Sequence, residues 1–222
     1  MDRESRTILA LLGLGCAVMG YVDGVLQPGY GAKSAIKLVY FLILPLIFYF
    51  RRSPAQLRRL FARAQVGIKP LLLGLGVYFG ILLLYFTIGS LFDFSQVAGA
   101  LEGELGVDRG NFLVVSLYIA FVNSLLEEFF FRGLGYLALR EGLSRRWAGL
   151  VSALSFALYH VSMLGGWFRP DLLILLIFLL VLAGQVLNRL DEGSRTLWCS
   201  WCVHMFANFS INTVGFLLLG MV

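Results

Sequence analysis

The chain has 222 residues, 59% of them hydrophobic and only 14% charged, and its mean hydropathy is +0.84, far more apolar than an ordinary soluble domain. Such a composition excludes a soluble enzyme and indicates an integral membrane protein. The net charge of +5 does not mark a nucleic-acid binder, because the basic residues lie between apolar runs, where they set topology.

Apolar stretches recur along the whole chain, at roughly 7–25, 34–50, 70–92, 111–139, 147–164, 171–187 and 196–220, and a helix crosses a bilayer with about 20 mostly apolar residues. The expected fold is therefore all-α, a polytopic transmembrane helical bundle of about seven spans. Span two and span six read as short, span four as long, and Pro45 is expected to kink span two. Glycines of spans one and three, Gly13 and Gly76 among them, are expected to permit close helix contact.

The connection after span two carries Arg51, Arg52, Arg58, Arg59, Arg63 and Lys69, whereas the one after span three carries Asp93, Glu102, Glu104 and Asp108. Because cytoplasmic connections collect Lys and Arg, the N-terminus is expected in the cytoplasm. Within the basic connection Ser53 and Pro54 suit the start of a helix, and Leu57, Leu60, Phe61 and Ala64 follow at helical spacing. An amphipathic helix near 53–66 on the inner membrane surface is expected. The chain thus divides into N-terminal helices with this basic segment, residues 1–110, and a second half, residues 111–222, that carries the chemistry.

That chemistry starts in "LLEEFFFRGLGY", Leu125 to Tyr136. Charged side chains at membrane depth cost several kcal/mol and mark function. Arg132 stands four residues beyond Glu128 on the same face, so those two are expected to pair, leaving Glu127 free to work. The only two histidines, His160 and His204, also lie inside spans. At about 1.5 Å per residue, Glu127 and His160 are about 20 Å from the inner ends of their spans and His204 about 12 Å, so the three can converge. Asn208 lies one turn beyond His204, Phe156 one turn before His160, and Asn123 one turn before Glu127, where it can orient the carboxylate or join helices.

A carboxylate, an imidazole and a His–Asn pair suffice to hydrolyse an amide with activated water. Glu127, helped by His160, takes the proton of water; His204 and Asn208 hydrogen-bond the oxyanion. Glu127, His160 and His204 can alternatively hold Zn²⁺. The absence of HExxH and the four-residue His-to-Asn spacing favour the metal-free form, with no cofactor expected. Cys199 and Cys202 form a CxxC inside an apolar helix and read as packing.

Three motifs now stand in order on separate spans: EExxxR at Glu127, Glu128 and Arg132, FxxxH at Phe156 and His160, and HxxxN at His204 and Asn208. Together they resemble the CAAX protease and bacteriocin-processing (Abi) family, which includes the type II CAAX prenyl endopeptidases. The resemblance covers about the last 100 residues and implies an intramembrane endopeptidase in which the first Glu and the FxxxH His activate water. By the same resemblance His204 and Asn208 stabilise the oxyanion. "TLWCSWC", Thr196 to Cys202, departs from the usual "SLWAPI" and touches local packing rather than chemistry.

The expected partners are membrane lipids and a membrane-associated peptide or protein, a prenylated CaaX tail being one candidate, with no nucleic acid. The expected location is the plasma membrane of a prokaryote, with the site opening toward the cytoplasm. A non-catalytic scaffold or bacteriocin-immunity protein, and a proton-coupled transporter, are the alternatives. Nothing in the sequence specifies an oligomeric state.

Overall fold

In the computed structural model of the chain, which describes residues 1–62, 67–94, 97, 99, 107–164 and 168–221, all regular structure is helical. Among the described residues seven helices are long and apolar enough to cross a membrane. They are α1 (Arg3–Leu26), α2 (Tyr30–Arg52), α4 (Lys69–Ile88), α5 (Phe112–Glu141), α6 (Arg145–Leu164), α7 (Pro170–Ser194) and α8 (Trp198–Leu218). A short helix, α3 (Pro54–Leu60), joins α2 to α4. Asp2 caps α1 by accepting the Ser5 N–H at 2.6 Å, a bond that holds its carboxyl below the usual carboxylate range.

Two spans are longer than their apolar runs. Helix α2 has 23 residues and α7 has 25, because the charges that would end an apolar run are neutralised by partners. Lys33 pairs with Asp23 at 2.5 Å, and Glu192 pairs with Arg145 at 2.5 Å and Arg140 at 3.3 Å. Around Pro45 the chain answers with a wider turn. Pro45 has no N–H for the Phe41 carbonyl, and just before it residues Val39–Ile43 form a π-turn in which the Leu44 N–H reaches the Val39 carbonyl.

Helix α5 is the hub. Residues Glu128–Ala138 are all buried, the one charged pair among them, Glu128 and Arg132, included. Phe130 stacks on Phe41 of α2 with ring centroids 4.0 Å apart, while Phe131 meets Phe156 and Tyr159 of α6. Two stretches of α5, Tyr118–Asn123 and Glu128–Ala138, are π-helical. Carbonyls along α5 accept donors from elsewhere: Ile119 from Asn208, Phe121 from Trp201, Phe131 from Ser152 and Leu137 from Gln56. A π-turn shifts the backbone ladder, and such bulges recur at functional sites.

The glycine contacts fall one face away from the expected positions. A methyl added at Gly13 or Gly76 would meet no neighbour within 4 Å, whereas one at Gly15 would come 2.5 Å from Phe130 and one at Gly74 2.6 Å from Phe206. Because Phe130 is held on its other side by Phe41, Gly15→Ala is expected to lower stability by about 1–3 kcal/mol through overpacking. Thermal unfolding in detergent checks this against Gly13→Ala, which is expected to melt no lower than the native chain; equal melting of the two variants would contradict it.

Helix α3 is amphipathic over its described residues. It buries Leu57 and Leu60 while Arg58 and Arg59 stay exposed. The Leu60 side chain lies against Gly133 of α5, and the Leu60 carbonyl accepts the Leu197 N–H at 3.0 Å, capping the start of α8. The apolar face of α3 thus packs on α5 and the start of α8. Arg63, Ala64, Glu102 and Glu104 lie outside the described residues.

Candidate active site

Glu127, His160 and His204 come together from α5, α6 and α8. The Nε2 atoms of His160 and His204 stand 3.9 and 3.8 Å from the same oxygen, Oε2 of Glu127. Oε2 is buried and has no hydrogen-bond partner among the described residues, and a buried polar atom left unpaired costs about 1–3 kcal/mol. Two nitrogens at these distances are too far for direct hydrogen bonds but suit a bridging water.

The other sides of the three groups are tied down. His160 Nδ1 lies 2.7 Å from the Phe156 carbonyl; a carbonyl only accepts, so Nδ1 carries the proton and a neutral ring directs the lone pair of Nε2 toward Glu127. His204 Nδ1 lies 2.6 Å from Glu128 Oε1, the same carboxylate oxygen that stands 3.2 Å from Nη1 of Arg132. The expected Glu128 and Arg132 pairing is present as an ion pair, without hydrogen-bond alignment. The Arg132 guanidinium also lies over the Phe156 ring, 4.1 Å from its centroid, a cation–π contact that holds FxxxH against EExxxR.

Asn208 is tied to α5. Its amide donates to the Ile119 carbonyl at 3.1 Å, which leaves the second N–H of the amide free to serve another acceptor.

A buried charged residue outside the three motifs joins this group. Lys37 of α2 is buried, and its Nζ donates to Glu127 Oε1 at 2.6 Å, Asn123 Oδ1 at 2.6 Å and the Tyr159 hydroxyl at 2.8 Å. Asn123 Nδ2 donates to Glu127 Oε1 at 2.9 Å, so Asn123 both orients the carboxylate and joins helices. The signal that could have found Lys37 is the one that singles out Glu127: a charge inside an apolar span. Asp191 is a second such residue, fully buried and accepting from the Ser200 N–H at 3.0 Å and hydroxyl at 2.6 Å. It lies beyond position 187, where the apolar run of span six ends.

Zinc fits these residues poorly. Two ligands at about 2.0–2.1 Å from a tetrahedral zinc lie about 3.3 Å apart, shorter than the separations here, and the carboxylate already faces the Lys37 ammonium on its other oxygen. Among the described residues no group of three His, Cys, Asp or Glu is placed to hold a metal ion.

The family model for type II CAAX prenyl endopeptidase Rce1-like proteins matches residues 109–210. Over this segment the chain is similar to the CAAX protease family. No curated protein and no solved structure matches the chain. The matched segment contains Glu127, Glu128, Arg132, Phe156, His160, His204 and Asn208, whereas Lys37 lies outside it. The chain is an integral membrane protein, and its N-terminal half supplies one of the charged groups in contact with Glu127.

Proposed function

We propose that the chain is an intramembrane endopeptidase that hydrolyses a peptide bond of a membrane-associated substrate with a water activated by Glu127, without a metal. The carrying observation is the unpartnered Oε2 of Glu127, faced by Nε2 of His160 and of His204 at 3.9 and 3.8 Å. A water between these atoms donates one proton to Oε2 and a second hydrogen bond to the lone pair of His160 Nε2. Its oxygen attacks the scissile carbonyl carbon as the proton passes to Glu127. The oxyanion accepts hydrogen bonds from Nε2–H of a protonated His204, whose Nδ1–H stays on Glu128, and from the second N–H of Asn208. Collapse breaks the C–N bond, and Glu127 returns its proton to the departing amine.

Lys37 and Asn123 hold Oε1, so a single carboxylate oxygen faces the water. This gives Lys37 a positioning role. The basic ends of α2, α6 and α7 support a cytoplasmic opening of the site, and the CAAX name of the matched family supports a prenylated tail as the first substrate to try. Incubating the purified protein with a farnesylated CaaX peptide, its unprenylated twin and an unrelated transmembrane peptide tests the reading. Cleavage of the farnesylated peptide at least tenfold faster than of its twin is expected, a difference of about 1.4 kcal/mol. Equal rates would remove the prenyl preference, and no cleavage of any peptide would favour a scaffold.

A further inference from the structure

Outside the catalytic site, a cavity of about 280 Å³ opens where α6 begins and α7 ends, lined by Arg145, Arg146 and Arg189 together with Gly149, Gln185 and Tyr136. Arg145 is engaged by Glu192 at 2.5 Å, and Glu192 also meets Arg140 at 3.3 Å. Among the described residues neither Arg146 nor Arg189 forms an ion pair. Three arginines lining one cavity with a single acid, Glu192, paired to one of them favour an anion with several oxygens, such as a phosphate.

The walls are built to keep this space open and fixed. A methyl at Gly149 would come 3.2 Å from Gln185 Oε1 and 3.7 Å from the Tyr136 ring, so any larger residue would narrow the cavity. Asn188, at its base, donates to the Gly149 carbonyl at 3.1 Å and accepts from Ser152 at 3.0 Å, which locks α6 to α7 at this level.

The level itself points to lipid. The cavity lies at the shared ends of two spans, and Trp147, two residues into α6, is 63% exposed, as tryptophans are where helices meet headgroups. Toward the membrane centre both helices keep exposed apolar side chains, Leu150 and Leu154 on α6 and Leu182 and Val186 on α7, against which acyl chains can lie.

We propose that this cavity binds the phosphate of an anionic lipid headgroup. The test is retention of phosphatidylglycerol against phosphatidylcholine by the purified full chain in detergent, titrated by native mass spectrometry, beside glycerol 3-phosphate as the soluble source. An arginine near a charged headgroup contributes about fivefold in affinity, so Arg146→Gln with Arg189→Gln is expected to weaken phosphatidylglycerol about twenty-fivefold. Arg51→Gln with Arg52→Gln, exposed at the end of α2 and away from the cavity, is the control and is expected to change retention less than about twofold. An equal loss in both pairs would reduce the effect to surface charge, and no preference for phosphatidylglycerol would remove the site. Glycerol 3-phosphate binding as strongly as the lipid would overturn the lipid assignment. None of these readouts depends on peptide cleavage, so the proposal stands or falls apart from the catalytic one.

Discussion

Glu127→Gln is expected to lower kcat by about 10²–10⁴-fold, the range a positioned general base supplies, with little change in KM. Glutamine keeps the size of the side chain and can still accept from Lys37 and Asn123, but its terminal group cannot take a proton from water. The variant also leaves the Lys37 ammonium buried at 3% exposure without its counter-charge, and removing one member of a buried pair costs about 3–5 kcal/mol. Lost activity alone would therefore not separate chemistry from folding. The double variant Lys37→Met with Glu127→Gln removes both charges, and replacing a buried pair by neutral groups is often close to neutral in stability. Recovered thermal stability with no recovery of cleavage is the expected pattern. Recovered cleavage in the double variant would show that Glu127 is not the base.

The second large effect is at Lys37. Lys37→Met is expected to reduce kcat about 10²-fold, because a reacting group displaced by about 1 Å can lose that much. KM is expected to stay within about twofold, since Lys37 touches Glu127, Asn123 and Tyr159 rather than a route for substrate. Steady-state kinetics on the solubilised variant reads this directly. A rise in KM with kcat unchanged would place Lys37 at substrate binding, and no change in either would make the pair a structural tie between α2 and α5.

The second half of the chain is legible because its chemistry is written at helical spacing. Glu128 and Arg132, Phe156 and His160, and His204 and Asn208 each stand four residues apart, and this periodicity gives helix and shared face together. The convergence of Glu127, His160 and His204 follows from depth along the spans, and the structure brings Nε2 of both rings within 3.9 Å of one oxygen. Lys37 is not legible in the same way. It has no partner at i+4, and its three partners lie 86, 90 and 122 residues away. The π-turns of α5 are equally hidden, since the donors that meet α5 carbonyls come from other helices, whereas the π-turn of α2 stands just before Pro45. Gly15 and Gly74 rather than Gly13 and Gly76 make the close contacts because helix rotation is set by packing partners such as Phe130 and Phe206. Helix α7 runs past position 187 because Ser200 satisfies Asp191 with two hydrogen bonds and Arg140 and Arg145 neutralise Glu192.

The central claim is that Glu127 activates water for peptide hydrolysis without a metal. Its most direct test is cleavage of a farnesylated CaaX peptide by the purified protein, followed by mass spectrometry of the products, with and without a strong chelator and beside Glu127→Gln. Cleavage that survives chelation and vanishes in Glu127→Gln is the predicted result. Cleavage that stops on chelation and returns with added zinc, or that proceeds unchanged in Glu127→Gln, would contradict it.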